Sequence, residues 1–185
     1  SMGREARCII AAAEVGIPVP AVLLHSDDVS VLGAAGVVME RIEGETIARK
    51  LLRDERYAVA RTTLVAECGA ALAGIHSIDP AVLGDDPSGS LGTVDAASGH
   101  AGPAPAAPVA ADPLAEMRAA LESMGRSTPT FEYARRWLEA NRPAPSAGPS
   151  LVHGDFRLGN LMVDDGGLTA VLDWERVHTG DPAED

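Results

Sequence analysis

Residues 151–185 contain three side chains whose types and spacing suit metal-assisted transfer of a phosphate group. Asp155 precedes Asn160 by five positions and Asp173 by eighteen. Asparagine and aspartate oxygens are hard ligands of the kind that Mg2+ prefers. A further carboxylate beside such a metal can orient and deprotonate an attacking hydroxyl. Each residue alone could be an ordinary turn or cap residue, so the prediction depends on the three together.

Two short apolar segments, at 161–163 and 168–172, are expected to position this set. The four residues between them are Asp-Asp-Gly-Gly, which favours a β-hairpin loop. If the segments pair as antiparallel strands, Asn160 and Asp173 both lie at the open end of the hairpin. Asp155 lies in a glycine-containing loop just before it. The sequence therefore predicts one carboxylate close to a two-ligand metal site.

The remaining pattern alternates helical and strand-like segments. We expect helices at 4–15, 47–53, 57–78, 114–124 and 130–141, and strands at 21–25 and 36–42. The helix at 57–78 shows an apolar stripe at helical spacing, formed by Leu64, Cys68, Ala71, Leu72 and Ile75. The helix at 130–141 carries an apolar side made of Phe131, Ala134 and Leu138. Residues 84–113 nearly lack large apolar side chains, which predicts a flexible insertion.

The composition excludes several classes of protein. The chain has 185 residues, a formal net charge of −12 and a pI near 4.7, and only one of its fifteen basic residues, Lys50, is a lysine. This acidic balance argues against nucleic-acid and anionic-membrane partners. No apolar run approaches the roughly 20 residues of a membrane span. Cys8 and Cys68 lack the spacing of metal ligands, which predicts reduced thiols in a cytoplasmic protein.

The segment at 153–160 reads HGDFRLGN, and Asp173-Trp174-Glu175 follows it. Together they resemble the catalytic loop and the metal-binding aspartate of the aminoglycoside phosphotransferase and choline kinase family. That family shares the protein-kinase fold, whose catalytic loop has a similar pattern. The two segments are most similar to the branch related to kinase-like domains fused to acyl-CoA dehydrogenases. The resemblance covers nearly the whole chain except residues 84–113.

The resemblance implies an α+β, protein-kinase-like architecture with two lobes. Residues 1–43 would form a partial N-terminal lobe, made of a helix and two strands, together with the hinge. Residues 44–185 would form a mainly helical C-terminal lobe that carries the catalytic hairpin. The implied activity is ATP- and Mg2+-dependent transfer of the γ-phosphate to the hydroxyl of a small molecule.

The resemblance also implies roles for four residues of the catalytic segment. Asp155 would be the catalytic base, and Asn160 and Asp173 would bind Mg2+. Arg157 stands where many protein kinases have a lysine that meets the transferring phosphate, and its planar guanidinium suits that contact. The alternative is that Arg157 pairs with a nearby carboxylate such as Glu175.

Five further residues would hold the nucleotide. Glu5 resembles the helix glutamate that pairs with the phosphate-binding lysine of the family. The carbonyl of Glu40 and the amide of Ile42 would meet the adenine edge, with Met39 behind the ring and Met162 below it. The two methionines are equally compatible with an ordinary apolar core.

Three other positions are expected to have structural roles. His76 and His153 should each hold a helix end or a loop through a ring hydrogen bond. Asp181, followed by Pro182, predicts the start of a helix. Its counterpart in the family braces the catalytic loop.

The two ends of the chain depart from the family pattern. Only three residues precede the helix of Glu5, so no glycine-rich loop or strand lysine stands before it, and Lys50 lies beyond the hinge. The chain also ends within the first turn of the helix that begins at Asp181. We therefore expect part of a longer protein, with weak nucleotide affinity by itself. The alternative is a kinase-like pseudoenzyme or binding module. The acceptor substrate is not readable, although the acidic charge weakly favours a cationic one.

Overall fold

The computed structural model describes residues 1–84, 113–125, 128–144 and 148–185. Almost all of the predicted insertion at 84–113 lies outside the described residues. The elements in chain order are α1 (Met2–Glu14), β1 (Val22–Ser26), α2 (Val29–Leu32), β2 (Gly36–Met39), α3 (Ala48–Arg53), α4 (Ala60–Ser77), α5 (Pro113–Ser123), α6 (Pro129–Ala140), β3 (Ser150–Val152), β4 (Leu161–Val163), β5 (Leu168–Val171) and β6 (His178–Gly180).

The N-terminal part of the chain packs α1 beside an antiparallel pair of strands, β1 and β2. Alanines favour the helix, and its buried side is formed by Gly3, Ala6, Cys8, Ile9 and Ala12. The loop after β1 fixes the start of α1, because the Asp27 carboxylate accepts hydrogen bonds from the N–H groups of Met2 (2.7 Å) and Gly3 (3.0 Å). Helix α1 is therefore capped by a residue about 25 positions away as well as by Ser1.

Helix α4 runs through the centre of the core. Its predicted stripe faces inward, with Leu64, Ala71 and Ile75 buried and Cys68 and Leu72 half-buried. The helix packs against β3 and β5. The C-terminal segment that carries the proposed chemistry is thereby seated directly on the longest helix of the described chain.

Strands β4 and β5 form the predicted hairpin, with Leu161 opposite Val171. The hairpin also joins the segment that follows β2. The N–H of Glu45 donates to the carbonyl of Val163 at 2.9 Å, and the N–H of Val163 donates back to Glu45 at 3.1 Å. These two bonds attach the end of the predicted hinge to the edge of the hairpin.

Strands β3 and β6 form a separate antiparallel pair, with Leu151 opposite Thr179. This pair was not predicted. Each strand is only three residues long, which is too short to show a periodic pattern. The pair brings the start and the end of the catalytic segment together.

Two boundaries differ by three residues from the sequence-based expectation, and one helix differs in its burial. Helix α4 begins at Ala60 rather than 57, because Asp54 caps a separate 3-10 helix at Glu55–Tyr57. Strand β2 ends at Met39 rather than at 42. One further backbone hydrogen bond follows it, from the N–H of Glu40 to the carbonyl of Ala21 at 2.8 Å. Helix α6 forms as predicted, but its apolar side is not buried, since Phe131 is 55% exposed.

Across the described residues, every helix is too short or too polar to cross a lipid bilayer.

Candidate active site

The loop between β3 and β4 brings Asp155 and Asn160 into direct contact. The side-chain nitrogen Nδ2 of Asn160 donates to Oδ2 of Asp155 at 2.7 Å and to the Asp155 carbonyl at 3.0 Å. Asn160 is almost fully buried, at 5% exposure, and ends a 3-10 helix at Leu158–Asn160. The amide therefore holds the Asp155 carboxylate in one orientation.

The hairpin register brings Asp173 beside Asn160. The N–H of Leu172 donates to the carbonyl of Asn160 at 2.8 Å, so Asp173 follows directly after the residue paired with Asn160. Asp173 has φ 64° and ψ 65° and is the one non-glycine residue with positive φ in the described parts of the chain. Left-handed backbone costs such a residue about 1–2 kcal/mol, and strain of this kind concentrates at functional sites.

The donors at this end of the hairpin fit a magnesium ion. Because Nδ2 of Asn160 is engaged with Asp155, the oxygen Oδ1 remains available as a ligand. The Asp173 carboxylate is exposed and makes no hydrogen bond to another described residue. No group of three His, Cys, Asp or Glu side chains suited to a metal occurs among the described residues. Mg2+ commonly takes only one or two protein carboxylates and completes its shell with phosphates and water.

Arg157 pairs with Asp155 and not with Glu175. Its Nε atom lies 3.1 Å from each carboxylate oxygen of Asp155. The guanidinium beside Asp155, together with the Asn160 amide, holds the pKa of the Asp155 carboxyl below its usual range, although partial burial opposes the shift. The Arg157 side chain is 61% exposed. In the structure Arg157 therefore has a carboxylate partner, but that partner is Asp155 and not Glu175.

Gly159 makes room for this arginine. A Cβ atom at Gly159 would collide with Nη1 of Arg157, which folds over the glycine backbone. A side chain at residue 159 would thus require the end of Arg157 to shift from this position.

His153 is a buried structural residue, as expected from the sequence. Its Nδ1 accepts the N–H of Asp155 at 3.3 Å, so the ring proton lies on Nε2 and is donated to the carbonyl of Leu172 at 3.1 Å. The ring packs edge-on against Trp174, with centroids 4.9 Å apart. Burial lowers the pKa of His153 from its usual value. The neutral ring thus connects the catalytic loop to the end of the hairpin.

Asp185, and not Asp181, braces the loop between β3 and β4. The Asp185 carboxylate accepts hydrogen bonds from the backbone N–H groups of His153 (2.9 Å) and Gly154 (2.8 Å) and contacts Nε2 of His76 at 3.0 Å. Asp181 instead caps the 3-10 helix at Pro182–Glu184. The expectation that Asp181 belongs to the bracing position was therefore wrong by four residues, because a single turn of that helix separates the capping side chain from the one that turns inward. Sequence alone gave no signal for Asp185.

Helix α1 packs against the 3-10 helix at Trp174–Arg176, which puts Glu5 near the end of the hairpin. Partial burial raises the pKa of Glu5, and the negative charges of Asp173 and Glu175 raise it further. Lys50 forms an ion pair with Glu45 at 2.5 Å and does not meet Glu5. Glu5 thus joins Asp173 at one site without a lysine from the described chain.

The predicted hinge lies open beside the hairpin. Within the described residues, the Glu40 carbonyl and the Ile42 N–H have no hydrogen-bond partner, and Met39 is 36% exposed. Gly44 has φ 154°, and a Cβ there would approach the Cγ of Met162 to 2.7 Å. Met162 therefore packs directly on the end of the hinge.

The chain is similar to known proteins in sequence and in fold. The family model described as "Phosphotransferase enzyme family" (APH) matches residues 1–185. The chain is 31% identical to acyl-CoA dehydrogenase family member 11 of Gallus gallus over 172 residues, which is 92% of this chain and 20% of that protein. It is 30% identical to family member 10 of Mus musculus, covering 98% of this chain and 16% of that protein.

Solved structures show the same fold. A Ralstonia eutropha protein, provisionally assigned as an aminoglycoside phosphotransferase, superposes with a TM-score of 0.67 at 27% identity, over 98% of this chain and 51% of that one. The streptomycin–ATP complex of APH(2″)-IIa superposes with a TM-score of 0.56 at 20% identity, over 98% and 57%. The chain thus spans about half of these structures and at most a fifth of the two curated relatives. The predicted kinase-like α+β fold and the similarity to the acyl-CoA dehydrogenase branch are confirmed, and the chain belongs to the phosphotransferase enzyme family.

Proposed function

We propose that the protein containing this chain is an ATP- and Mg2+-dependent phosphotransferase that acts on the hydroxyl group of a small molecule. The observation that carries the proposal is the contact of Asn160 with Asp155 at the end of the hairpin where Asp173 also lies. A carboxylate beside two oxygen ligands is the arrangement that phosphoryl transfer to a hydroxyl needs. Bound Mg2+ would neutralise charge on the phosphate oxygens, with Asn160 and Asp173 as its protein ligands.

Asp155 would orient the acceptor hydroxyl and receive its proton. The Asn160 amide and the Arg157 guanidinium both contact this carboxylate, so it is held ionised and in a defined orientation. Arg157 is largely exposed and could also contact an incoming phosphate through its remaining N–H groups. Positioning and charge stabilisation account for most of the catalysis in reactions of this class.

The hinge is proposed to bind the adenine of ATP. The Ile42 N–H and the Glu40 carbonyl are a donor and an acceptor without partners in the described chain, as recognition of an adenine edge requires. Met162, packed on Gly44, and Met39 at the end of β2 would supply apolar surface on either side of the ring. Glu5 would orient a phosphate-binding lysine supplied from outside this chain.

The acceptor is proposed to be a small hydroxyl compound. One structural neighbour is described as a complex with streptomycin and ATP, and the net charge of −12 favours a cationic acceptor for this chain as well. We further propose that the protein works in the cytoplasm, since both described cysteines are free.

The test is ATP turnover by the full gene product with Mg2+ across a panel of hydroxylated acceptors, with Asp155→Ala as the variant. Loss of a positioned base should lower kcat by about 10²–10⁴-fold. Asp165→Ala, in the exposed hairpin turn, is the matched control and should retain activity. Equal rates for the wild type and Asp155→Ala would refute the role of Asp155.

The alternative is a kinase-like binding module without transferase activity. It is favoured by the pairing of Lys50 with Glu45, which leaves Glu5 without a lysine among the described residues. Calorimetry separates the two proposals. Tight binding of Mg-ATP by the full gene product, with no turnover of any acceptor and no effect of Asp155→Ala, would support the module.

A further inference from the structure

Two arginines of α1 attach this helix to two later segments of the chain. Arg4 donates through Nη2 to the carbonyl of Val177, just after the 3-10 helix at Trp174–Arg176. Arg7 donates through Nε to the carbonyl of Val82 at 3.1 Å and through Nη2 to that of Leu83 at 2.8 Å. Residues three apart lie on the same side of a helix. The two side chains therefore contact two separate segments from one side of α1.

Between these arginines, α1 carries a charge that opposes its own docking. Glu5 is half-buried, and α1 packs against the 3-10 helix at Trp174–Arg176, which contains Glu175 and begins directly after Asp173. Like charges in a partly desolvated site repel more strongly than they would in water. This repulsion weakens the docking of α1 at the hairpin end, so the buried apolar side of the helix and the two arginines must together outweigh it.

We propose that Arg4 and Arg7 act as a clamp that holds α1 against the 3-10 helices at 80–83 and 174–176 and keeps Glu5 facing Asp173. Both are positioning residues, because they contact backbone carbonyls and act through Glu5. Asp27 complements the clamp by fixing the N-terminal end of the helix. The clamp itself does not depend on any reaction, but its effect on ATP use rests on the proposed function.

A simpler role for Arg7 would be to satisfy the carbonyls at the end of the 3-10 helix Pro80–Leu83, which lack partners within that helix. Such capping would make α1 stability independent of the charge at Glu175. The clamp predicts the opposite, because neutralising Glu175 removes part of the repulsion that the arginines overcome. The combination of an arginine change with Glu175→Gln therefore separates the two roles.

The experiment is hydrogen–deuterium exchange on the full gene product, comparing the amides of residues 6–14 in α1 with those of α4. Arg7→Met keeps the aliphatic stem but removes the donors. We expect exchange in α1 to become about tenfold faster, as for the loss of a hydrogen bond from a charged donor, and exchange in α4 to change little. Arg49→Met, in the exposed part of α3, is the matched control and should leave α1 unchanged.

The double variant Arg7→Met/Glu175→Gln should recover a substantial part of the α1 protection. Unchanged α1 exchange in Arg7→Met would overturn the clamp. Equal acceleration in α1 and α4 would also overturn it, since Arg7 would then stabilise the whole fold. Failure of Glu175→Gln to restore protection would leave Arg7 as a capping residue and contradict the proposal. Arg4→Met, which frees only the Val177 carbonyl, gives a second and milder variant with the same expected pattern.

Kinetics of the full gene product test the consequence for ATP. Arg7→Met should raise the KM for ATP several-fold with a smaller change in kcat, and Glu175→Gln should partly reverse the effect. If the exchange experiments give the expected pattern but neither the wild type nor any variant shows turnover, the clamp stands and the proposed function fails. If turnover is present and the KM for ATP is unchanged by Arg7→Met, α1 position does not control nucleotide use and the clamp has no positioning role.

Discussion

The Oδ1 atom of Asp185 accepts a hydrogen bond from the backbone N–H of Gly154 at 2.8 Å, across 31 positions in the sequence. The other oxygen accepts the N–H of His153, and the carboxylate is only 1% exposed. The neighbouring residue, Asp155, is the proposed base. The backbone on which the proposed chemistry depends is therefore held by a buried carboxylate from the end of the chain.

Replacing Asp185 by Asn should destabilise the protein. The variant keeps one acceptor oxygen, but its NH2 group would face the N–H of Gly154 in one orientation and the N–H of His153 in the other, leaving a buried donor unsatisfied. We expect a loss of about 2 kcal/mol in the free energy of unfolding, measured by urea denaturation. Asp165→Asn, in the exposed hairpin turn, should change stability by less than about 0.5 kcal/mol. Similar small effects in both variants would show that Asp185 does not brace the loop.

Gly154 and Gly69 should respond in opposite directions to substitution by Ala. Gly154 has φ 79°, and a Cβ there would lie 2.7 Å from the Arg176 carbonyl oxygen, so Ala should cost at least about 2 kcal/mol of stability. Gly69 lies within α4 with no atom near its added Cβ, so Ala should stabilise by up to about 1 kcal/mol. Thermal unfolding of the two variants checks both signs. A stable Gly154→Ala variant would contradict the tight contact of the catalytic loop with residue 176.

Burial of His153 should make stability depend on pH. Burial lowers the pKa of His153 in the folded protein, against the opposing effect of nearby carboxylates such as Asp185. The unfolded chain binds the proton at its ordinary pKa of about 6.5. The contribution of the neutral His153 ring to the free energy of unfolding is therefore fully present above about pH 6.5. It is lost as the pH drops below that value, by at most about 1.4 kcal/mol per pH unit.

The variant His153→Gln isolates this effect, because it removes the titrating ring and keeps a donor for the Leu172 carbonyl. Urea unfolding of both proteins between about pH 5 and 8 should give a difference in stability that is constant above pH 6.5 and shrinks below it. A difference that stays constant at all these pH values would mean that His153 does not titrate on unfolding.

Local patterns in the sequence were sufficient to predict most helices and the catalytic hairpin. Asn160, Asp173 and the Asp-Asp-Gly-Gly loop lie within fourteen positions of one another, so strand periodicity and turn chemistry determine their arrangement. The stripe on α4 was predictable for the same reason, because residues four apart on a helix face the same way. The roles assigned to Asp155, Asn160 and Asp173 remain predictions for the experiments above.

Only the tertiary structure decided which distant groups meet. Asp185 contacts His76 across 109 positions, and Arg4 contacts Val177 across 173. No local period encodes such contacts, because they depend on how separate elements pack once apolar surface is buried. The same holds for Arg157, for which the sequence suggested a carboxylate partner such as Glu175, whereas the structure pairs it with Asp155. The sequence by itself determined the chemical groups and their local order. Packing of the helices and the hairpin decided which of these groups meet and in which direction their pKa values shift.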